Sequence, residues 1–151
     1  MKATSLLKLL GATAAILLNV ILCIFAYAYF IADPPMLYTN LPFEALKTTV
    51  HAGEVVPLTV GRCNTTNKVI TYRLTHSIVN VKTRDRYVLP GVEYSDILVM
   101  PGCDTLVSMI NQLPDSLPAG EYQIYGTARV EGQIRDYLLV WYSTPFQVVE
   151  P

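Results

Sequence analysis

The chain has 151 residues, a length that favours a single domain with at most a short appendage. Hydrophobic residues make up 52% and charged residues only 15%, so the composition is more apolar than that of an ordinary water-soluble domain. The formal charge of −1 argues against the strongly basic face on which nucleic-acid binding depends, and we expect no nucleic-acid partner. The excess of apolar residues is concentrated at the N-terminus.

Residues 9–32 form an uncharged run of 24 residues. As a helix with a rise of about 1.5 Å per residue it would be roughly 36 Å long, enough to cross a hydrocarbon core of about 30 Å. Lys2 and Lys8 precede the run, and Asp33 is the first charge after it. Because positive residues stay on the cytoplasmic side, we predict a signal-anchor in residues 1–32, with a cytoplasmic N-terminus and the rest of the chain outside.

A cleaved secretory signal is the competing interpretation of the same segment. The triplet Ala26-Tyr27-Ala28 has the small-x-small form of a cleavage site, but the apolar run continues to Ala32 and is longer than an ordinary signal-peptide core. Both interpretations export the remainder of the chain, and the sequence leaves cleavage open. The expected location is the cell membrane, with a single span.

The exported part carries nine Lys and Arg, the total of 11 less Lys2 and Lys8, against all 12 Asp and Glu, a formal charge of −3. It also holds Cys63 and Cys103, which are 40 residues apart and could pair in an oxidising compartment. In the chain-entropy model such a bridge would contribute about 4 kcal/mol. Two separate thiols near strand ends are the alternative, and the sequence does not decide between them.

The exported part is predicted to be all-β. Short runs rich in Val, Ile, Thr and Tyr are punctuated by Gly, Pro, Asn and Asp, which is typical of antiparallel strands, and no run has a helical period. We expect an extended linker and first strand region over 33–44 and a β-sandwich domain over 45–151. About eight strands are predicted, among them 55–62, 68–81, 87–89, 122–131 and 134–142. The strand 87–89 is expected to end at Pro90-Gly91.

Alternation predicts which side chains face the core. In the strand that begins at Lys68, Tyr72, Leu74 and His76 fall on one face. The clearest pattern places these residues on one face of the strand that follows Gly120: Tyr122, Ile124, Gly126, Ala128 and Val130.

The turn Pro118-Ala119-Gly120 followed by Tyr122 resembles the tyrosine corner of immunoglobulin-like domains, in which the Tyr hydroxyl bonds to backbone a few residues upstream. Residues 50–58 are similar to the first hairpin of bacterial Ig-like and fibronectin-like modules. The chain departs from the antibody pattern at Ile124, where a cysteine would stand, and at Trp141, which lies on the last hairpin.

Together these features resemble membrane-anchored Ig-like or fibronectin-like β-sandwich proteins of bacteria or their phages, with no specific family indicated. The resemblance implies an Ig-like antiparallel β-sandwich that follows one N-terminal transmembrane helix.

No motif indicates catalysis, a metal or a cofactor. His51 and His76 are the only histidines, and no third ligand stands at a useful spacing. Acidic residues occur beside turns, where they are ordinarily solvated, and the serine-nucleophile and nucleotide-binding motifs are absent. The basic run 82–86 is interpreted as a solvated loop, with contact to an acidic partner as the alternative.

The segment Tyr137–Tyr142 is apolar on both faces, one with Leu138, Val140 and Tyr142 and the other with Tyr137, Leu139 and Trp141. Either loops cover the second face or it is an exposed patch suited to a partner. The predicted contact surface consists of Tyr125, Tyr137, Leu139 and Trp141.

The sequence therefore predicts a non-enzymatic interaction module that is tethered to a membrane and binds a protein partner on the periplasmic or extracellular side. The alternative is an accessory subunit of a membrane enzyme or transport complex, in which the helix packs through Asn19 and small residues at 11, 12, 14 and 15. A phage-encoded envelope protein is a further alternative.

Overall fold

The computed structural model describes residues 3–31, 33–109, 111–132 and 135–150. The chain divides into two compact units, Met1–Asp33 and Pro34–Pro151. The first unit contains one helix, α1 (Ala3–Phe30). Its segment Lys8–Phe30 is long and apolar enough to cross a membrane, and none of that segment is buried against protein. The predicted apolar helix is confirmed, and its length and composition are those of a membrane span or of a signal sequence.

The second unit consists of strands, and none of its described residues is helical. Ten strands follow in chain order: β1 (Met36–Tyr38), β2 (Glu44–Ala45), β3 (Thr49–His51), β4 (Leu58–Asn64), β5 (Ile70–Asn80), β6 (Arg86–Val99), β7 (Gly102–Ser108), β8 (Gly120–Val130), β9 (Tyr137–Tyr142) and β10 (Phe146–Val149). The predicted β-rich composition of this part is confirmed.

The strands form two sheets. In the first sheet β4 is central, with β1 and β2 along one edge and β7 along the other, and every pairing is antiparallel. The second sheet has the order β3–β10–β8–β5–β6, and β9 pairs with β8 beyond the end of β10. Its pairings are antiparallel except that between β3 and β10.

Both sheets contribute to one hydrophobic core. Buried positions recur with a period of two along β8 and along the first part of β5, and the predicted inward residues of both strands are buried. The largest fully buried side chains are Trp141, Tyr122, Phe43, Phe146 and Met36. Burial of a large apolar side chain is worth about 1.5–3 kcal/mol, so this shared cluster holds the two sheets together.

The segment 33–44 was predicted to be an extended linker and first strand region. Met36 and Phe43 are almost completely buried, and β1 pairs with the end of β4. Most of this segment therefore belongs to the β unit.

The expected strand end at Pro90-Gly91 is wrong, because β6 continues through both residues to Val99. The ladder with β5 shifts register here. Thr75 pairs with Glu93 but Ser77 pairs with Val88, so four residues of β6 stand opposite one residue of β5. A bulge of this kind leaves unpaired positions, and it accommodates a proline that cannot donate a hydrogen bond.

Candidate functional site

The β8–β9 ladder decides which side chains reach the surface. Gly126 lies opposite Trp141, and Thr127 lies opposite Val140. Residues paired in this way share a face of the sheet. The alternation of inward and outward side chains along β8 therefore decides which side chains of β9 point inward. The alternation of β8 is clear, with Ile124 and Ala128 fully buried. The outward residues of β9 are therefore Leu138, Val140 and Tyr142.

The predicted contact surface is not a single face. Trp141 is only 1% exposed and packs in the core against Phe43 and His76, with ring centroids 4.6 Å away in each case. Tyr137 and Leu139 share its inward side and are partly buried against the core. Tyr125 alone points outward. The prediction that Trp141 is part of a contact surface is wrong, because its opposite neighbour Gly126 has no side chain and leaves room for the indole ring to enter the core.

On β9 itself, the exposed apolar residues are those of the opposite face. Leu138 is 66% exposed, Val140 48% and Tyr142 49%. We call these three residues the β9 strip. Tyr125 lies across the ladder from Tyr142, so the strip has an aromatic neighbour on β8. Contiguous exposed apolar side chains are uncommon on a monomer and mark interaction surfaces.

Arginines lie on the same outward side of the second sheet. The Arg86 guanidinium is 5.1 Å from the ring centroid of Tyr125, and its Nε donates to Ser77 Oγ at 2.8 Å. Arg73 is paired directly with Arg129 across β5 and β8. Arg129 Nε donates to Asp136 Oδ2 at 2.8 Å, whereas Arg73 makes no ion pair with the described residues. Glu131 and Asp136 border the same pocket as the two arginines, so two carboxylates already balance the two guanidinium groups.

Inside the core, His76 is buried and makes one hydrogen bond. Its Nδ1 lies 2.7 Å from Asn111 Oδ1, while Nε2 has no hydrogen-bond partner. Burial lowers the pKa of His76 to about 4, against a smaller opposite effect of the bond to Asn111, so the ring is neutral near pH 7. The sequence predicted the inward position of His76 but gave no sign of Asn111, because the partner lies outside any strand.

Tyr122 has the geometry of a tyrosine corner. The side chain is 1% exposed, and its hydroxyl donates to the carbonyl of Pro118 at 2.9 Å. The acceptor is four residues upstream, as the resemblance implied. This bond closes the turn that leads into β8 and fixes the start of the strand that carries the inward pattern.

A disulfide joins Cys63 and Cys103, which are directly opposite each other on β4 and β7. The next pair in the ladder is an ion pair, in which Arg62 Nε donates to Asp104 Oδ1 at 2.9 Å and Nη2 donates to Oδ2 at 3.1 Å. The same guanidinium donates from Nη1 to the Tyr72 hydroxyl at 3.1 Å. These bonds secure the free edge of the first sheet to its centre.

Other candidate groups remain apart. Among the described residues, no three His, Cys, Asp or Glu side chains are placed to share a metal ion. The basic loop 82–86 is exposed along most of its length, and its turn is closed by Asn80, whose Oδ1 accepts hydrogen bonds from the backbone of Lys82 and Thr83.

No family model and no curated protein sequence matches this chain. Among solved structures, that of a protein assigned to the late embryogenesis abundant (LEA) class has a TM-score of 0.50 at 13% identity, and the match covers 95% of this chain and 88% of that one. PapD-like domain 7 of human CEP192 has a TM-score of 0.49 at 14% identity, covering 81% of this chain and 92% of that domain.

A third match, to E. coli alpha-2-macroglobulin, has a TM-score of 0.43 at 18% identity and covers 78% of this chain but 7% of that one. At these identities the similarity concerns the fold alone. The class of protein defined by the structure is thus an all-β unit of two sheets preceded by one apolar helix.

Proposed function

We propose that this chain is a non-enzymatic protein-interaction module that α1 tethers to a membrane, and that its β unit is an Ig-like antiparallel β-sandwich on the outer side. The observation that carries the proposal is the β9 strip, three apolar side chains that are about half exposed or more on one strand. A partner that covers them would gain roughly 25 cal/mol for each Å² of apolar surface removed from water.

The anchor is supported by the chemistry of α1. Its apolar side chains from Leu9 to Phe30 are exposed, and the segment holds no charge. In water this surface would be costly, whereas lipid covers it without penalty, and the helix satisfies its own backbone hydrogen bonds. Lys2 and Lys8 before the segment and Asp33 after it favour a cytoplasmic N-terminus.

The partner's chemistry follows from the face around the β9 strip. Within the part of the chain that the structure describes, β8 is the one strand with which β9 pairs. At the C-terminal end of β9 the Phe43 N–H donates to the Tyr142 carbonyl, so the edge is already used there. Between Leu138 and Trp141, an extended segment can add to the outer edge of β9 and place alternate apolar side chains beside the strip. We infer a partner segment that is extended and apolar on one face.

The accessory-subunit alternative rests on Asn19, a polar side chain in the middle of the apolar helix. Its Nδ2 donates to the Ala15 carbonyl at 2.9 Å, so the side chain is held along its own helix and its oxygen stays exposed. An exposed amide oxygen can accept a bond from a neighbouring membrane helix. This alternative places the working surface in α1 rather than in the β unit.

The test is photocrosslinking in intact cells, with a photoreactive residue in place of Leu138 or Val140. The matched control position is Leu46, which is 49% exposed and apolar but directly follows β2 of the other sheet. We expect one discrete adduct from positions 138 and 140 and none from 46. Lys82→Glu, in the basic loop, should leave the adduct unchanged.

Replacement of residues 1–32 by an unrelated membrane anchor separates the two candidates. The interaction module predicts that the adduct at position 138 survives the exchange. Loss of the adduct on exchange, or equal labelling from positions 46 and 138, would refute the proposed role of the β9 strip.

A further inference from the structure

A cavity of about 310 Å³ lies among residues of both sheets. It is lined mainly by apolar side chains from β4, β5, β7 and β9, including Leu58, Leu74, Leu106 and Trp141, and the exposed Met109 also borders it. The cavity is open to solvent on the side of Met109, and its volume is at the lower end of the range for small-molecule sites, which begins at about 300 Å³. This volume is about that of ten water molecules in the liquid, at roughly 30 Å³ each.

Two unpartnered polar atoms belong to residues that line this cavity. The first is Nε2 of His76. Asn111 Nδ2 donates to the Val56 carbonyl, so its Oδ1 is an acceptor and the His76 Nδ1 beside it must carry the proton. In the neutral ring Nε2 is therefore a lone-pair acceptor that lacks a donor. A buried acceptor without a donor is unfavourable, so a ligand that supplies the donor gains binding free energy.

The second unpartnered atom is Nε1 of Trp141, whose N–H lacks an acceptor at hydrogen-bond geometry. The Tyr38 hydroxyl lies near this indole, and burial raises the pKa of Tyr38 although the contact with Trp141 acts in the opposite direction. The Trp141 and His76 rings meet edge to face, with an interplanar angle of 88°. A lone-pair acceptor and an N–H donor are thus carried by two rings in direct contact.

We propose that the cavity binds a small, uncharged, largely apolar molecule that carries one hydroxyl group. The hydroxyl donates to His76 Nε2 and accepts from the Trp141 N–H, and the apolar remainder fills the space between the sheets. Both nitrogens are covered in this structure, so binding requires the two rings to turn toward the adjoining cavity.

The lining also excludes a charged ligand. Among the described lining residues the one guanidinium is that of Arg62, whose charge is balanced by Asp104 and which already donates three hydrogen bonds to Asp104 and the Tyr72 hydroxyl. An ionised carboxylate in the cavity would be desolvated without a counter-charge, which is strongly unfavourable. The inference does not depend on the β9 strip, because that strip lies on the outward face of the sheet.

The test uses Trp141, the single Trp of the chain, as the reporter, with the full chain in lipid nanodiscs. The probe is 8-bromo-1-octanol, whose bromine quenches Trp fluorescence on contact, and the matched control is 1-bromooctane, which lacks the hydroxyl. We expect saturable quenching by the alcohol at a concentration at least tenfold lower than that for the bromoalkane. Leu106→Phe, which fills part of the cavity, should raise the half-saturation concentration at least tenfold.

His76→Phe keeps a ring but removes the acceptor, so the advantage of the alcohol over the bromoalkane should fall to less than threefold. Because this variant leaves Asn111 without its partner and is at risk of misfolding, the two probes on the unmodified chain are the primary comparison. Saturable quenching without preference for the alcohol overturns the assignment of the hydroxyl. Quenching that does not saturate and is identical in Leu106→Phe overturns the site.

Discussion

Gly126 lies directly opposite Trp141 in the β8–β9 ladder, and the indole ring occupies the space that a side chain at position 126 would fill. A Cβ there would overlap Cζ2 and Cε2 of the ring. The contact between these two residues turns Trp141 into the core and leaves the opposite face of β9 exposed. Which side chains of β9 are exposed thus depends on residue 126 being a glycine.

Gly126→Ala should therefore destabilise the β unit. Overpacking of a filled core costs about 1–3 kcal/mol, and we expect a loss in this range in chemical denaturation followed by circular dichroism. The control is the double variant with Trp141→Phe, whose smaller ring relieves the overlap. If the double variant loses as much stability as the two single variants together, the indole ring is not what makes a side chain at position 126 unfavourable.

The stability of the β unit should fall in acid because of His76. The pKa is about 4 in the folded protein and near 6.5 when the chain is unfolded, so the unfolded chain binds the proton first as the pH falls. The free energy of unfolding has its full value above about pH 6.5. Between pH 6.5 and pH 4 the titration of His76 lowers it by about 3 kcal/mol in total. Denaturation curves at several pH values measure this loss.

His76→Gln is the control for the acid effect, because its amide can still donate to Asn111 but does not titrate. The carboxylates are common to both proteins, so the difference between the two pH profiles isolates the histidine. Parallel profiles between pH 6.5 and pH 4 would contradict the expected role of His76.

Removal of the disulfide should reduce the free energy of unfolding by about 4 kcal/mol, the chain-entropy value for a separation of 40 residues. The measurement compares denaturation of the unmodified chain with that of the Cys63→Ser, Cys103→Ser double variant. Cys23→Ser in α1 is the matched control and should leave the β unit unchanged. Unaltered stability in the double variant would show that pairing with β4 alone holds β7.

Tyr122→Phe removes only the hydroxyl that bonds to Pro118, and we expect a loss of about 0.5–1.5 kcal/mol. Tyr125→Phe is the control, because that residue is outward on the same strand and its ring contact with Arg86 is kept. Equal effects of the two substitutions would count against a structural role for the Pro118 bond.

Much of the architecture was predictable from local patterns. The uncharged run 9–32 predicted α1, because an apolar segment of this length is typical of a membrane-spanning helix or a signal sequence. The inward residues of β5 and β8 were predicted because polar and apolar residues alternate there with a period of two. Each of these features is contained in consecutive residues.

The sequence by itself could not orient β9, because its residues are apolar on both faces and a period of two then gives no preference. Tertiary structure decided it: the register with β8 placed Trp141 over Gly126 and thereby exposed Leu138 and Val140. The bond between His76 and Asn111 was likewise invisible, since it joins residues 35 positions apart. Alternation is a local property of a strand, whereas the choice of face depends on which neighbour leaves room.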